Sequence, residues 1–277
     1  MLFPNISVDK IIKMALEEDL GHGDLTTEYL INPLTKGKAR IWAKEAGVVA
    51  GLPVAKRVFE ILGDVVFQSE VVDGDVVQRG TTLAYVEGKA QVLLSGERVA
   101  LNFLQRLSGI SAKTRELVDK VKPYKARLVD TRKTTPMLRI LERYAVRLGG
   151  GFNHRFCLDD AILIKDNHIQ AVGGIDKALE LAKKKCNHNT KITVEVTNLE
   201  EAKEALSGGA DIILLDNMSP ALMADAVKMI NSRALVEASG NINEDNIQAV
   251  AATGVDIISL GMLTHSIKSM DISMDFI

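Results

Sequence analysis

At 277 residues, with 47% hydrophobic and 25% charged side chains, the chain has the size and composition of a globular protein with one large domain or two ordinary ones. Its formal net charge of −2 argues against a nucleic-acid partner and against an anionic membrane. Any affinity for anions must therefore come from local clusters of arginine and lysine.

The cysteine content and the hydropathy pattern bear on location. Two cysteines, Cys157 and Cys186, are too few for a disulfide framework and indicate a reducing compartment. Residues 1–13 show no basic region followed by an apolar run, and no apolar stretch approaches the length of a membrane span. We therefore expect a cytoplasmic protein.

The first part of the chain mixes helical and strand patterns. Apolar residues fall on one helical face over 8–16, with Ser7 predicted as the N-cap and Gly21 at the end of the helix. The further predicted elements are a strand over 39–44, several short strands within 64–87 with turns at 73–75 and 79–80, and a helix from Gly96 to about Lys122.

After Pro123 the sequence repeats a short apolar run followed by an amphipathic helical stretch. Buried strands that alternate with helices are typical of parallel βα units. The unbroken repeat favours a barrel over an open doubly wound sheet, and the number of runs predicts fewer than eight strands. The runs are 127–131, 161–165, 192–196, 211–216, 234–238 and 256–260, and the clearest helices are 175–184, 199–206 and 221–230, the last capped by Ser219-Pro220.

Polar residues stand at the ends of all six runs. In a βα barrel the C-terminal ends of the strands face one mouth, where catalytic groups converge. We therefore expect these residues to surround a single site. They are Thr131, Arg132 and Lys133 after the first run, then Lys165, Glu195 and Asp216, then Ser239, Gly240 and Asn241, and finally Ser259 and Gly261.

The predicted mouth is rich in cations. Arg132, Lys133, Arg155 and Lys165 belong to it, and Arg139 follows one helical turn later. Arginine matches a carboxylate or phosphate with a planar fork, whereas lysine is a compact charge. The set predicts a ligand with several anionic groups, and His154 beside Arg155 strengthens that interpretation.

Two acids are predicted at the same mouth of the barrel, and their role is open. Glu195 and Asp216 either pair with the neighbouring cations or hold Mg2+, which binds a few carboxylates together with phosphate oxygens of a ligand. Gly240 and Gly261 follow late strands, where barrels often bind a phosphate on backbone N–H groups.

Four further features have an ordinary structural explanation. The glycines at 149–151 fit a helix C-cap with a connector, although they also allow a close approach to a ligand. Cys157 is predicted as a small apolar residue, and His22, His188 and His265 lack zinc-ligand spacing. Arg98 is predicted in the first turn of a helix, where a cation opposes the helix dipole, so it is either solvated or ligand-facing.

The chain resembles the type II phosphoribosyltransferases, and within them the quinolinate phosphoribosyltransferases. The resemblance extends over nearly the whole chain, and its segments follow the expected order. They are EEDLGHGDLTT (17–27), ERVALNFLQRLSGISAKT (97–114), DTRKTTP (130–136), GGGFNHR (149–155), LIKDNH (163–168), VEV (194–196), ILLDNM (213–218), EASGNI (237–242) and GVDIISLGMLTHS (254–266).

The resemblance implies an α/β fold of two domains and a reaction. An N-terminal α/β sandwich (1–110) would be followed by an incomplete, TIM-like α/β barrel (111–264), and the tail (265–277) would return to the sandwich. The implied enzyme transfers phosphoribosyl to quinolinate with decarboxylation in NAD biosynthesis. It would work as a homodimer, with higher assembly left open, and each active site would receive Arg98 from the neighbouring subunit.

The resemblance also implies a role for each candidate residue. Lys133, Lys165, Glu195 and Asp216 would form the catalytic set, with Glu195 and Asp216 holding Mg2+. Quinolinate would contact Arg98, Thr131, Arg132, His154, Arg155 and Lys165. Phosphoribosyl pyrophosphate would contact Lys133, Glu195, Asp216, Ser239, Gly240, Asn241, Ser259, Leu260 and Gly261.

A few positions depart from the family pattern, and two rival functions stay open. Met137 stands where the family usually has glycine, Thr193 and Thr197 flank VEV where acids are common, and Cys157 stands near a frequent glycine. One rival is a related transferase for another base, such as the homologues associated with molybdate transport. The other is a biotinyl or lipoyl carrier suggested by residues 71–88, although that run lacks a modifiable lysine.

Overall fold

The computed structural model describes residues 5–277, so the first four residues of the predicted domain 1–110 lie outside it. The described chain forms two compact units. The first contains residues up to Arg115, Thr134–Gly150 and Thr264–Ile277, and the second contains Glu116–Lys133 and Gly151–Leu263. Among residues 5–277, no helix is both long and apolar enough to cross a bilayer.

The elements follow one another in mixed order. The helices are α1 (Asn5–Leu20), α2 (Leu25–Leu30), α3 (Leu52–Leu62), α4 (Ala90–Val121), α5 (Arg139–Leu148), α6 (Asp166–Val172), α7 (Ile175–Lys185), α8 (Leu199–Ser207), α9 (Pro220–Ile230), α10 (Ile247–Ala252) and α11 (Met262–His265). The strands are β1 (Lys36–Ala43), β2 (Gly47–Val48), β3 (Val65–Ser69), β4 (Val76–Val77), β5 (Thr82–Lys89), β6 (Arg127–Val129), β7 (Ile162–Ile164), β8 (Ile192–Val196), β9 (Ile212–Asp216), β10 (Leu235–Ser239), β11 (Ile257–Ser259) and β12 (Ile272–Phe276).

The first unit is built on a four-stranded sheet in the order β12-β1-β5-β3. All its pairs are antiparallel, and β12, from the end of the chain, pairs with β1 through Ile41↔Met274. Burial alternates along β1, as expected for a strand with one face against a core. Buried residues of α3, including Val58 and Phe59, complete that core, and the Phe59 ring lies 6.4 Å from the Phe67 ring on β3.

Helix α5 also belongs to the first unit, and polar contacts hold it there. The fully buried Glu142 accepts hydrogen bonds from the Arg106 guanidinium at 2.6 and 2.9 Å and from the Thr135 backbone N–H at 3.1 Å. The Tyr144 hydroxyl donates to Asp73 at 2.8 Å, and the same carboxylate accepts the N–H groups of Gly51 and Leu52. Burial raises the pKa of Asp73 above its usual value, although these three donors partly offset the effect.

The second unit is a six-stranded parallel sheet in the order β6-β11-β10-β9-β8-β7, flanked by helices that join consecutive strands. This confirms the predicted α/β class and a barrel-like sheet with fewer than eight strands. The strand interiors are almost wholly buried, including Val194, Ile213 and Val236. Helix α9 begins as predicted, because the Ser219 hydroxyl accepts the Leu222 N–H and Pro220 is the first helical residue.

Two predicted helix starts are wrong. Helix α1 already includes Asn5, so Ser7 lies inside the helix and is not its N-cap. Helix α4 begins at Ala90, so Arg98 lies beyond the second turn of a 32-residue helix rather than in the first turn. The helix dipole acts mainly within the terminal turn, which removes the electrostatic objection to a cation at position 98.

Met137 adopts a backbone conformation that suits glycine. Its φ is +68°, and its side chain is 68% exposed, so no buried contact compensates for the left-handed backbone. We expect Met137→Gly to raise the free energy of unfolding by about 0.5–1 kcal/mol, measured by urea denaturation. Met137→Ala is the matched control, since it shortens the side chain but keeps Cβ. An equal gain from Ala would show that backbone strain is not the cause.

Candidate functional site

The strand register of the second unit directs one set of side chains to the same face of the sheet. Paired residues on parallel strands point to the same side, as do residues two apart on one strand. Glu195 pairs with Leu214, Leu214 with Glu237, and Glu237 with Ile257. Asp216 and Ser239 pair one step further towards the C-terminal ends of their strands. One face therefore carries polar residues from β8, β9 and β10 together.

These side chains line a cavity of about 470 Å3 at the C-terminal ends of the strands. The structure thus brings together, from loops and strands far apart in sequence, most of the predicted site residues of the second unit. The predicted residues that line it are Thr131, Arg132, Lys133, His154, Arg155, Lys165, Glu195, Asp216, Ser239, Gly240, Asn241 and Ser259. Leu163, Leu214, Asn217 and Glu237 line it as well.

Three predicted residues are not part of this lining. Leu260 is buried behind β11, and its N–H donates to the Val129 carbonyl at 3.0 Å. Gly261 follows it, at the start of the turn into α11. Arg98 belongs to the other compact unit, where it is exposed on α4. A role for Arg98 in a neighbouring subunit stays a prediction.

Two arginines of the cavity, Arg132 and Arg155, lie close enough together for their charges to interact. The Arg155 guanidinium donates through Nη1 to the Ala161 carbonyl at 2.8 Å, which fixes its direction. Burial and the positive charge of Arg132 lower the pKa of Arg155 below its ordinary value. Two guanidinium groups that repel each other at a half-buried site favour a ligand with closely spaced negative charges.

The two acids differ in their partners. Lys165 Nζ lies 2.5 Å from Glu195 Oε2, so Glu195 pairs with a cation, as one of the two open interpretations expected. Asp216 instead accepts a hydrogen bond from the neutral Asn217 amide at 2.8 Å. Within residues 5–277 no group of three or more His, Cys, Asp or Glu could hold a metal, so a metal here would need oxygens from the ligand.

A network of left-handed residues shapes the loop after β10. Gly240 has φ +88°, Asn241 +50° and Asn217 +54°. The Asn241 amide donates to Asn217 Oδ1 at 2.9 Å, and the Asn217 N–H donates to the Ser239 carbonyl at 2.9 Å. A Cβ at position 240 would collide with the Asn217 amide, so glycine is required there. The loop is therefore held next to Asp216.

Sequence reasoning missed Glu237 and Asp130. Glu237 was hidden inside the apolar run of β10, where only the two-residue strand period places it on the same face as Ser239. Asp130 is fully buried and accepts hydrogen bonds from the Asn153 amide at 2.5 Å and the His154 N–H at 2.8 Å. An acid directly after a buried strand was the available signal for Asp130.

Comparison with known families identifies the fold around this cavity. The model for the N-terminal domain of quinolinate phosphoribosyl transferase matches residues 24–108, and the model for its C-terminal domain matches residues 110–275. The chain belongs to the quinolinate phosphoribosyltransferase family. The predicted membership is thereby confirmed, and a carrier-domain assignment for residues 71–88 is wrong, because that run lies within the family's N-terminal domain.

Members of this family from several organisms resemble the chain over nearly its full length. A probable nicotinate-nucleotide pyrophosphorylase (carboxylating) of Synechocystis is 46% identical to the chain. The alignment covers 99% of this chain and 94% of the Synechocystis protein. Its counterpart in Bacillus subtilis is 45% identical over 98% and 94%. The crystal structure of NadC from Streptococcus pyogenes is 43% identical, covers 99% and 98% of the two chains, and superimposes with a TM-score of 0.96.

Proposed function

We propose that the chain transfers phosphoribosyl from phosphoribosyl pyrophosphate to quinolinate with loss of CO2, giving nicotinate mononucleotide and pyrophosphate. The observation that carries the proposal is the single cavity in which Arg132, Arg155, Lys133 and Lys165 meet Glu195 and Asp216. The names of the full-length relatives support the same reaction. It belongs to NAD biosynthesis and is a pentosyl transfer.

The arginine-rich side of the cavity suits the two carboxylates of quinolinate. Arg132 and Arg155 can each form a fork with a carboxylate, and Lys165 adds a compact charge. Thr131 and His154 border the same space and contribute polar edges. We assign Arg98 of a neighbouring subunit to the same substrate, which makes the active enzyme a homodimer and leaves higher assembly open.

The other side of the cavity suits phosphoribosyl pyrophosphate. Lys133, Glu195 and Asp216 would contact the ribose hydroxyls and the pyrophosphate. The 5-phosphate would rest on donors of the late loops, namely Ser239, Gly240, Asn241, Ser259 and Gly261. Leu260 would only help to position this loop, because its own N–H donates to the Val129 carbonyl. Short loops with left-handed residues, such as 240–241, direct consecutive N–H groups to one side, which suits a phosphate.

The donor set fits Mg2+ as the cofactor. Two carboxylates from neighbouring strands, with phosphate oxygens of the substrate, are the ligands that Mg2+ commonly takes. Asp216 has a neutral partner, and Glu195 would exchange its Lys165 contact for the metal. When bound, Mg2+ would neutralise negative charge on the departing pyrophosphate.

The protein contributes mainly charge stabilisation and positioning. As the bond from ribose C1 to pyrophosphate breaks, Lys133 stabilises the negative charge of the leaving group. The arginine forks hold quinolinate so that its ring nitrogen faces C1 and forms the new bond. The positively charged ring then accepts the electron pair released when the adjacent carboxylate leaves as CO2, and a proton from solvent completes the product. No side chain in the cavity forms a covalent intermediate in this scheme.

The proposal retains the predicted organisation of the chain. The predicted catalytic barrel, 111–264, corresponds to the second compact unit, except that Thr134–Gly150 and a few residues at its ends belong to the first unit. The predicted sandwich, 1–110, and the tail, 265–277, belong to the first unit. Both cysteines are free thiols, in keeping with a cytoplasmic location. No nucleic acid or membrane takes part in the proposed reaction.

The direct test supplies quinolinate, phosphoribosyl pyrophosphate and Mg2+ to the purified protein and follows nicotinate mononucleotide by chromatography. Failure to form this product under conditions that support a known family member would reject the proposal.

Substrate choice gives a second prediction. Nicotinate lacks one of the two carboxylates that Arg132 and Arg155 would bind. We expect its kcat/KM to be lower than that of quinolinate by at least about a hundredfold, because one arginine fork of the site would be left without its carboxylate. Competition between the two acids in one assay measures the ratio. Comparable turnover would instead favour a related transferase for another base, the rival that includes the homologues of molybdate transport.

A further inference from the structure

Glu237 is a buried carboxylate that the proposed mechanism leaves without a task. It lies on β10 with 1% of its surface exposed, and it lines the cavity described above. Its Oε1 atom is buried and has no hydrogen-bond partner among the described residues. An unpartnered buried acceptor is costly, so a position like this one requires an explanation.

The nearest basic group to Oε1 is the ring of His154. The two atoms, His154 Nε2 and Glu237 Oε1, are 3.4 Å apart. This separation exceeds that of an ordinary N–H···O hydrogen bond by a few tenths of an ångström. Contacts of this kind in ligand-free sites are often long and shorten when the substrate binds.

The other ring nitrogen decides which atom of His154 carries the proton. His154 Nδ1 accepts a hydrogen bond from the Arg155 backbone N–H at 2.7 Å. An acceptor nitrogen cannot also carry a proton in that direction, so the hydrogen bond assigns the proton to Nε2. The Nε2–H group is the one that faces Glu237.

The backbone around His154 is held independently of Glu237. Buried Asp130 accepts the His154 N–H at 2.8 Å and the Asn153 amide at 2.5 Å. Phe152 forms a parallel bridge with Val129 at the end of β6. Two anchors therefore fix the main chain without Glu237, and the contact between Nε2 and Oε1 acts on the imidazole itself.

We propose that Glu237 is a positioning residue: its carboxylate accepts the Nε2–H of His154 and so fixes the imidazole beside the bound pyridine dicarboxylate. The inference rests on the proposed function. Because the same imidazole accepts the Arg155 N–H, its orientation also sets the start of the Arg155 side chain, which we assign to a carboxylate of quinolinate. Glu237 thus acts on the substrate through His154 and Arg155.

The test compares two variants of the full-length protein. Glu237→Met fills similar space but offers no oxygen, whereas Glu237→Gln loses the charge and keeps an acceptor. We expect the Kd and KM for quinolinate to rise by about tenfold or more in the Met variant and to stay within about threefold of wild type in the Gln variant. The KM for phosphoribosyl pyrophosphate should change little in either. Unchanged quinolinate binding in Glu237→Met, or equal losses in both variants, would overturn the proposal.

A spectroscopic measurement on the ligand-free protein separates this inference from the proposed reaction. In NMR spectra of 15N-histidine-labelled protein, the Nε2–H proton of wild-type His154 should exchange slowly with water, and it should exchange faster in Glu237→Met because no carboxylate accepts it. The protein has five histidines, so His154→Gln identifies the signal by its loss. An unchanged exchange rate of the Nε2–H in Glu237→Met would reject the positioning role even if the enzyme makes nicotinate mononucleotide. A missing product together with faster exchange would reject only the reaction.

Ser111→Ala provides the matched control. Ser111 Oγ is the other buried side-chain atom without a partner in the described chain, and it lies on α4 in the first compact unit. Each substitution removes a buried oxygen that has no hydrogen bond of ordinary geometry in the ligand-free protein, so both variants should remain folded, as the melting temperature will show. Only Glu237→Met should change quinolinate binding. A parallel change in Ser111→Ala would show that the effect comes from the general loss of a buried polar group.

Discussion

A mixture of Arg98→Ala and Lys133→Ala proteins should recover about a quarter of wild-type activity after subunit exchange. Random reassociation makes half of the dimers hybrid, and in a hybrid one of the two sites carries both substitutions while the other carries neither. Each variant alone should lose about two orders of magnitude in kcat/KM, because each removes a charge that faces an anionic group. Steady-state rates before and after exchange provide the measurement.

The matched control mixes Arg132→Ala with Lys133→Ala. These neighbours line the cavity from the same chain, so every site in a hybrid dimer keeps one substitution and no activity should return. Recovery in both mixtures would point to renaturation during exchange. Absence of recovery in the Arg98 mixture, with hybrid dimers shown by native mass spectrometry, would remove Arg98 from the neighbouring site.

The position of Arg98 also shows that the start of its helix, α4, could not be predicted from the sequence. Its helix was predicted to start at Gly96, but α4 begins six residues earlier, at Ala90. Glycine disfavours a helix interior, so the pattern suggested a start there. In the folded chain the missing side chain of Gly96 makes room for the Phe59 ring, and this close packing outweighs the propensity of one residue. Such a contact between α3 and α4 cannot be deduced from local spacing.

The parallel sheet was predictable because its signal is local in the sequence. Strands buried on both faces are continuous apolar runs, and all six predicted runs agree with the observed strands to within two residues at each end. The largest difference is in the first run, because β6 ends at Val129. Polar residues just beyond these runs were therefore visible as a group. Their convergence follows from parallel topology, because all such strands end at the same edge.

Residues inside the runs were harder to assign. Glu237 and the buried Thr193 interrupt apolar runs on the cavity-facing side, and a single polar residue there does not reveal its partner. The role of Glu237 depends on His154, which is 83 positions away in sequence and lies on a loop. Long-range pairs of this kind depend on the geometry of the whole sheet. They are the part of the site that one sequence without structure leaves undetermined.

Asp216→Asn should weaken the binding of Mg2+ by the enzyme more than any other single substitution on β9. The change keeps the size of the side chain but removes the charge of a carboxylate whose hydrogen-bond donor in the described chain is the neutral Asn217 amide. Glu195 remains, yet it is engaged by Lys165, so the loss of Asp216 leaves one contested ligand. We expect kcat/KM for phosphoribosyl pyrophosphate to fall by about two to three orders of magnitude and the Mg2+ concentration for half-maximal activity to rise about tenfold or more.

The opposite end of the same strand supplies the control for this substitution. Asp211 directly precedes β9, at the N-terminal ends of the strands and away from the cavity. Its carboxylate accepts the Ile192 N–H at 2.9 Å and pairs with Lys191 at 2.7 Å. Asp211→Asn makes the same chemical change and should cost at most about 1 kcal/mol of stability without altering the Mg2+ response. Binding of Mn2+ followed by electron paramagnetic resonance, with phosphoribosyl pyrophosphate present, reports the metal directly and without turnover. Equal Mn2+ affinity in Asp216→Asn and Asp211→Asn would mean that Asp216 contacts the ribose alone, and that the metal depends on Glu195 and substrate oxygens.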